Sequence, residues 1–221
     1  MLNNFAQKIK QCEPFYEQGL LNNIFSWKEL ESLLNLRPFI NNSRMNIIGG
    51  SNQYVWDDIA WLSDPNTMPP SLIDDVIKKH VCYISDCSRV NDSINSIANE
   101  LEIITNLPTD AHIFFAFNTD IKQGLGIHND DSHNLIVQVE GETQFEIWKD
   151  KCEKESWNKE DTRNLGDAMI NVLMQPGDVV FIPAKYWHRA LSKTPRLSVS
   201  FPICPHTKFN KQDRTWINLP I

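Results

Sequence analysis

GLGIHNDDSHNLIVQVEGETQFEIW, residues 124–148, and PGDVVFIPAKYWHRA, residues 176–190, decide the fold. Both consist of short apolar runs rich in β-branched and aromatic residues, broken by the turn sequences Glu140-Gly141-Glu142 and Pro176-Gly177-Asp178. Gly and Asp at such breaks accept the backbone angles that a tight turn needs, so the texture is that of paired strands. It begins after Pro108 and predicts strands over 112–117, 135–139, 143–148, 168–174, 179–182 and 196–201. Strands spaced so closely and punctuated so regularly belong to a barrel or sandwich.

Upstream the period changes. Ser26 stands three residues before Glu29 in a capping box, and Trp27, Leu30, Leu33 and Leu34 recur at helical spacing up to Arg37-Pro38. A second helix is expected from Pro69-Pro70-Ser71 through Leu72, Val76 and Ile77, and a third through Ile94, Ile97, Ala98 and Leu101. Short strands are expected near Tyr16 and over 45–48. The expected architecture is mainly β with a helical N-terminal part, a single domain: a lead-in over 1–107, a barrel core over 108–203 and a tail over 204–221. The charged stretch 149–165 is too polar for the core and reads as a lid or as a solvated insertion.

Composition sets the outer limits. With 41% hydrophobic and 22% charged residues, a chain of 221 residues has the makings of a globular core. A net charge of -7 argues against a broad basic surface, so nucleic acid is not an expected partner. Residues 1–11 carry no apolar run, and the expectation is a cytoplasmic protein without membrane contact. Cys12, Cys82, Cys87, Cys152 and Cys204 are scattered and odd in number, which suits free thiols in a reducing compartment.

The chemistry is carried by His128-Asn129-Asp130. Two residues apart on extended backbone, the imidazole and the carboxylate point to one side. Alone the pair says little. Downstream, however, Gly177-x5-Pro183-x4-His188 places a second imidazole 58 residues after Asp130, at the edge of the strand expected over 179–182. Two His and one carboxylate occupy one face of an octahedron and leave three positions open, the donor set of non-haem iron(II) oxygenases. Zinc more usually takes a closed tetrahedral set or keeps one open site.

These stretches, with RLSVSF at 196–201, resemble the Jumonji C-like cupin oxygenases, which include ribosomal-protein hydroxylases and asparaginyl hydroxylases. The resemblance runs over about residues 108–202 and rests on the combined His-x-Asp, Gln-x-x-Gly, Pro-Gly-Asp and Trp-His pattern. It implies a double-stranded β-helix, the cupin or jelly-roll barrel, in which His128, Asp130 and His188 bind Fe(II). It also implies 2-oxoglutarate and O2 as co-substrates and hydroxylation of an unactivated carbon. By the same resemblance Asn134 is expected near the co-substrate.

One position departs from the pattern. The family usually has Lys or Arg where this chain has Thr143, and a hydroxyl cannot neutralise the distal carboxylate of 2-oxoglutarate, although it can add a weaker hydrogen bond. Arg196, Ser198 and Ser200 alternate with Leu197, Val199 and Phe201, so the last strand has one polar face. Arg196 and Ser198 are therefore the expected anchor, as in other branches of these oxygenases that use Arg-x-Ser on this strand; an Arg196 paired with a structural acid is the competing reading.

The expected substrate is an amino-acid side chain in a protein or peptide, or a small amino-acid-like metabolite, and a homodimer is the expected assembly. Two other classes stay open: a cupin dioxygenase or isomerase that uses no 2-oxoglutarate, favoured by Thr143, and a non-catalytic cupin binding module. Asn118 and Gln138 read as structural amides. Asp131 and His133 have the alternation opposite to the ligands, and His80, His112 and His206 lack a partner pattern.

Overall fold

The computed structural model describes residues 2–36, 39–40, 44–48, 70–117, 126–151, 165–204, 207–210 and 215–218. A 3-10 turn over Leu2–Phe5 leads into α1 (Ala6–Lys10), β1 (Phe15–Glu17), α2 (Trp27–Leu34), β2 (Met45–Ile48), α3 (Pro70–Lys79), β3 (Val81–Ile84) and α4 (Asp92–Thr105). Strands follow almost without interruption: β4 (His112–Ala116), β5 (His133–Glu140), β6 (Thr143–Lys151), β7 (Ile170–Met174), β8 (Val179–Ile182), β9 (Tyr186–Ser192), β10 (Arg196–Ile203), β11 (Thr207–Asn210) and β12 (Thr215–Asn218). Residues 152–164 of the charged stretch, Asn118, His206 and the helix end expected at Arg37-Pro38 lie outside the described residues.

A seven-stranded sheet, ordered β1-β8-β5-β10-β4-β3-β2, faces a three-stranded sheet ordered β7-β6-β9. All named pairings are antiparallel. The period-2 alternation gives the large sheet two apolar faces. Leu135, Val137, Val179, Phe181, Leu197, Val199 and Phe201 face the helices, packing with Leu30, Leu33, Ile94, Ile97 and Leu101 in the main core. On the opposite face Val180 and Ile182 pack with Phe145, Ile147 and Met174 of the small sheet. Residues 179–182 are thus buried on both sides, which accounts for the uninterrupted Val-Val-Phe-Ile run.

The helices are anchored at their first turns. Ser26 Oγ accepts from the Glu29 backbone N–H, capping the helix, and donates to the Glu29 carboxylate. Asn91 caps α4 through Ile94 N–H, and its amide also donates to Glu29 Oε1 at 2.8 Å, tying the two helix starts together. Trp27 N–H donates to Glu140 at 3.2 Å, which fastens α2 to the β5–β6 hairpin.

The turns at Asp178 and Gly141 have specific work. Asp178 is 1% exposed and accepts from Tyr16 Oη at 2.7 Å, Gly19 N at 2.9 Å and Gln175 N at 2.8 Å. It therefore closes its own turn and pins the amino-terminal β1 to β8. Gln138 donates to the carbonyls of Glu140 and Gly141, holding the β5–β6 turn from inside. Gly141 has φ +72, and a Cβ there would lie 1.9 Å from the Pro195 carbonyl oxygen, so the turn rests directly on the start of β10.

Three differences from the sequence expectation matter. α2 stops at Leu34, with Asn35 as its C-cap. β3 was not anticipated; its Val-Cys-Tyr-Ile run is too short to separate from the end of the preceding helix by period. His188 sits inside β9, which pairs with β6, and not on a link at a strand edge. The exposed pattern of β9 masks it, since only Trp187 and His188 are buried.

Candidate active site

His128 and His188 form an isolated antiparallel bridge between the two sheets. Around it the three expected ligands converge. His188 Nε2 lies 3.5 Å from Asp130 Oδ2, His128 Nε2 lies 3.9 Å from Asp130 Oδ1, and one donor atom from each residue falls within 4.8 Å of the others. His128 Nδ1 is 3.0 Å from the Gly126 carbonyl, and His188 Nδ1 is 3.0 Å from the Tyr186 carbonyl. A carbonyl only accepts, so each Nδ1 carries the proton and each Nε2 presents its lone pair inward. This is the protonation state that a metal requires.

The segment between the strands is braced at each step. Lys185 N–H donates to the Asp130 carbonyl at 2.8 Å, Ala184 N–H donates to His133 Nδ1 at 2.9 Å, and the Lys185 side chain pairs with Asp131. Asp131 and His133, whose side chains alternate away from the ligands, thus hold the loop that delivers His188. Trp148 and Trp187 are buried with Ile127 beside it.

The triad opens onto a cavity of about 250 Å³. Arg196, Ser198 and Ser200 line one side of it, Asn134 and Ile136 the floor, and Phe145 and Ala190 the opposite sheet. The polar face of β10 therefore does look into the barrel. Arg196 is 6% exposed, makes no ion pair among the described residues, and has a buried Nε without a partner. Burial pushes its guanidinium down to about 10 from 12.5. An unpaired buried cation is strongly disfavoured, and a bound carboxylate is the partner that its planar fork suits.

Thr143 is fully buried, its Oγ1 is likewise without a partner, and it is not among the residues lining the cavity. Glu142 N–H donates to Thr194 Oγ1 at 2.8 Å, so the chain segments that lead into Thr143 and Arg196 meet at one end of the barrel. Asn134 Nδ2 donates to Asp130 Oδ2 at 2.7 Å, and Asn134 Oδ1 accepts from Ser200 Oγ at 3.4 Å.

His112 is better placed than its isolation in the sequence suggested. It lines the cavity, its Nε2 lies 3.3 Å from Asp110 Oδ2, and its ring stacks on Tyr83, which stacks in turn on Phe114. Burial and then the Asp130 charge push the Tyr83 phenol upward. The signal for His112 was present, since Asp110 lies two residues before it at the entry to β4; Tyr83 was hidden with β3.

Residues 89–210, more than half of the chain, match the family model of the JmjC domain. The chain belongs to the JmjC domain family. Among curated proteins, a bifunctional lysine-specific demethylase and histidyl-hydroxylase from Drosophila persimilis is 30% identical over 73 residues, 32% of this chain and 11% of that protein. The JmjC fold recurs in the ribosomal oxygenase YcfD from Escherichia coli, solved in complex with cobalt and 2-oxoglutarate, at a TM-score of 0.60 and 12% identity. That superposition covers 95% of this chain and 52% of YcfD, so this JmjC chain spans about half the length of the solved relative. The 2-oxoglutarate-dependent epimerase SnoN of nogalamycin biosynthesis aligns at a TM-score of 0.51 and 14% identity, covering 99% of this chain and 85% of SnoN.

Proposed function

We propose that this JmjC protein is an iron(II)- and 2-oxoglutarate-dependent oxygenase that hydroxylates an unactivated carbon of an amino-acid side chain in a protein or peptide. One observation carries the reading: a two-His, one-carboxylate donor set and a buried Arg without a counter-ion among the described residues open onto the same cavity. The donor set fits iron(II), and the orphaned guanidinium fits a carboxylate of the co-substrate. The bound iron supplies the oxidising power that a protein side chain lacks.

The chain's own residues bind, orient and enclose. His128, Asp130 and His188 hold the metal, with both imidazoles kept in the Nδ1–H tautomer by the Gly126 and Tyr186 carbonyls. Arg196 and Ser198 receive the distal carboxylate of 2-oxoglutarate, with Thr143 at the same end of the barrel. In this reading Arg196 supplies the cation that Thr143 cannot. Phe145, Ile136 and Ala190 keep water from the region between anchor and metal. The Phe114, Tyr83 and His112 rings form the remaining wall, on the side left for substrate.

A side chain in a protein or peptide is supported by the names of the relatives, a histidyl-hydroxylase and a ribosomal oxygenase, and by the small volume of the cavity. A small amino-acid-like metabolite presents the same reacting group. A reducing, cytoplasmic setting suits Cys12, Cys82 and Cys87, which form no disulfide among the described residues.

The test is succinate release from protein loaded anaerobically with iron and then given 2-oxoglutarate and oxygen. Turnover above the His188→Ala background, lost also in Arg196→Ala, is the expected result. If wild type forms no succinate and 2-oxoglutarate leaves the iron spectrum unchanged, the reading is wrong.

A further inference from the structure

We infer that Asn134 is a positioning residue for the metal centre: it ties up one oxygen of Asp130, so that this carboxylate offers the other to the metal. The inference rests on the metal half of the reading above and is independent of 2-oxoglutarate.

The geometry is a short chain of hydrogen bonds. Asp130 Oδ2 accepts from Asn134 Nδ2 at 2.7 Å, and Asn134 Oδ1 accepts from Ser200 Oγ at 3.4 Å. An ionised carboxylate only accepts, so the amide must turn its NH2 toward Asp130 and its carbonyl toward Ser200, whose hydroxyl then has to donate. Asn134 is 6% exposed and Ser200 5%, which shields both bonds from competing water. Asp130 Oδ1, on the His128 side, receives no side-chain hydrogen bond among the described residues.

The arrangement follows from strand register. Asn134 begins the inward face of β5 and pairs with Pro202 of β10, two pairs along from Ser200 opposite Ile136 and on the same face. Asp130 lies four residues before Asn134, on the turn into β5, so the amide reaches back to the ligand from rigid sheet. Asp130 itself is on a loop and is the most exposed of the three ligands, its side chain 36% accessible against 21% for His128 and 5% for His188. It is the ligand most in need of an external brace.

One consequence concerns β10 as a whole. Its inward face carries Arg196 at one end and Ser200 near the other, so a single strand anchors the co-substrate and, through Asn134, sets the carboxylate of the metal site. One N–H of the amide is thereby engaged by Asp130, and the second is left for the co-substrate, near which Asn134 is expected.

The experiment measures metal binding without turnover. Mn(II) affinity is read by electron paramagnetic resonance, and the ligand field by the visible spectrum of the Co(II)-loaded protein, for wild type, Asn134→Leu, Ser200→Ala and, as reference, Ser32→Ala on the exposed side of α2. Asn134→Leu keeps the branched shape and removes the hydrogen bond; it should weaken Mn(II) by about 10- to 100-fold and alter the Co(II) bands, as loss of an outer partner to a ligand does. Ser200→Ala should produce a smaller change in the same direction, and serves as the deciding variant if Asn134→Leu does not fold by circular dichroism. Mn(II) affinity within about twofold of wild type, with unchanged Co(II) bands in a folded variant, would overturn the inference. If these effects appear while wild type releases no succinate, the positioning role stands and the 2-oxoglutarate reading falls. If succinate is released and the metal parameters do not move, the reverse holds.

Discussion

His128 and His188 donate their backbone N–H groups to each other's carbonyls, at 3.1 and 2.8 Å, and their rings stand 4.2 Å apart between centroids. The two imidazole ligands are therefore fixed by main chain before any metal arrives. Substituting either side chain leaves that bridge in place.

His188→Ala should accordingly remain folded, losing no more than about 2 kcal/mol as a large-to-small change at a single site. What it should lose is metal-linked stability, which for wild type reaches about 2.7 kcal/mol when the ion is present at 100 times Kd. Calorimetry with and without Mn(II) reads both quantities. A variant still stabilised by Mn(II) would show that the ion binds elsewhere.

Arg196→Met should raise the stability of the free protein while abolishing its stabilisation by 2-oxoglutarate or succinate. The folded guanidinium is pushed down to about 10 from 12.5, so the unfolded state holds the proton more tightly. Below about pH 10 the buried charge thus costs stability, and the cost fades as pH rises through the window from 10 to 12.5. At pH 7 its removal should be worth on the order of 1 kcal/mol in urea denaturation. A less stable variant that succinate still protects would mean that Arg196 has a protein partner and is not the anchor.

The Tyr16–Asp178 bond gives the protein a sensitivity to alkali. Burial, then the Asp178 hydrogen bond, pushes the Tyr16 phenol up to about 12 from 10.0. A raised folded value means that the contribution is fully present below pH 10 and lost as pH climbs from 10 through 12. Tyr16→Phe should lose about 1.5 kcal/mol at neutral pH, as expected for a bond to a charged acceptor, and show a shallower decline across that alkaline window. Equal slopes for the two proteins between pH 10 and 12 would count against this assignment.

Gly141→Ala tests the contact between the β5–β6 turn and β10. With φ +72 and the Pro195 carbonyl 1.9 Å from the added Cβ, backbone must move, and a loss above about 2 kcal/mol is expected. Because Arg196 follows Pro195, succinate should also protect the variant less. Gly19→Ala is the control: φ is +62 but no atom lies within 4 Å, so only about 1 kcal/mol of backbone strain is expected. Comparable losses at the two positions in thermal melts would show that the contact with Pro195 is not the cause.

Much of the barrel was legible because strands announce themselves locally. The alternation of Arg196, Ser198 and Ser200 with Leu197, Val199 and Phe201 is a property of six neighbouring residues, and it correctly assigned one face to the cavity and one to the core. Turn chemistry did the same for Gly141 and Gly177, both at positive φ. The strand carrying His188 was harder to see, because β9 lies in the small sheet with one side largely open and has no continuous apolar run.

The sequence by itself determined the mainly β architecture, the candidate donor set His128, Asp130 and His188, and the inward course of Arg196. Each of these depends on residue type and on spacing over a few positions. Only the tertiary structure decided what those side chains meet: that Arg196 pairs with no acid among the described residues, that Asn134 turns to Asp130, and that Asp110 and Tyr83 bring His112 into the cavity wall. Side-chain direction along a strand repeats every two residues and is written locally. Partnership depends on the register between strands as far apart in sequence as β3, β5 and β10, which is set by how the whole core packs.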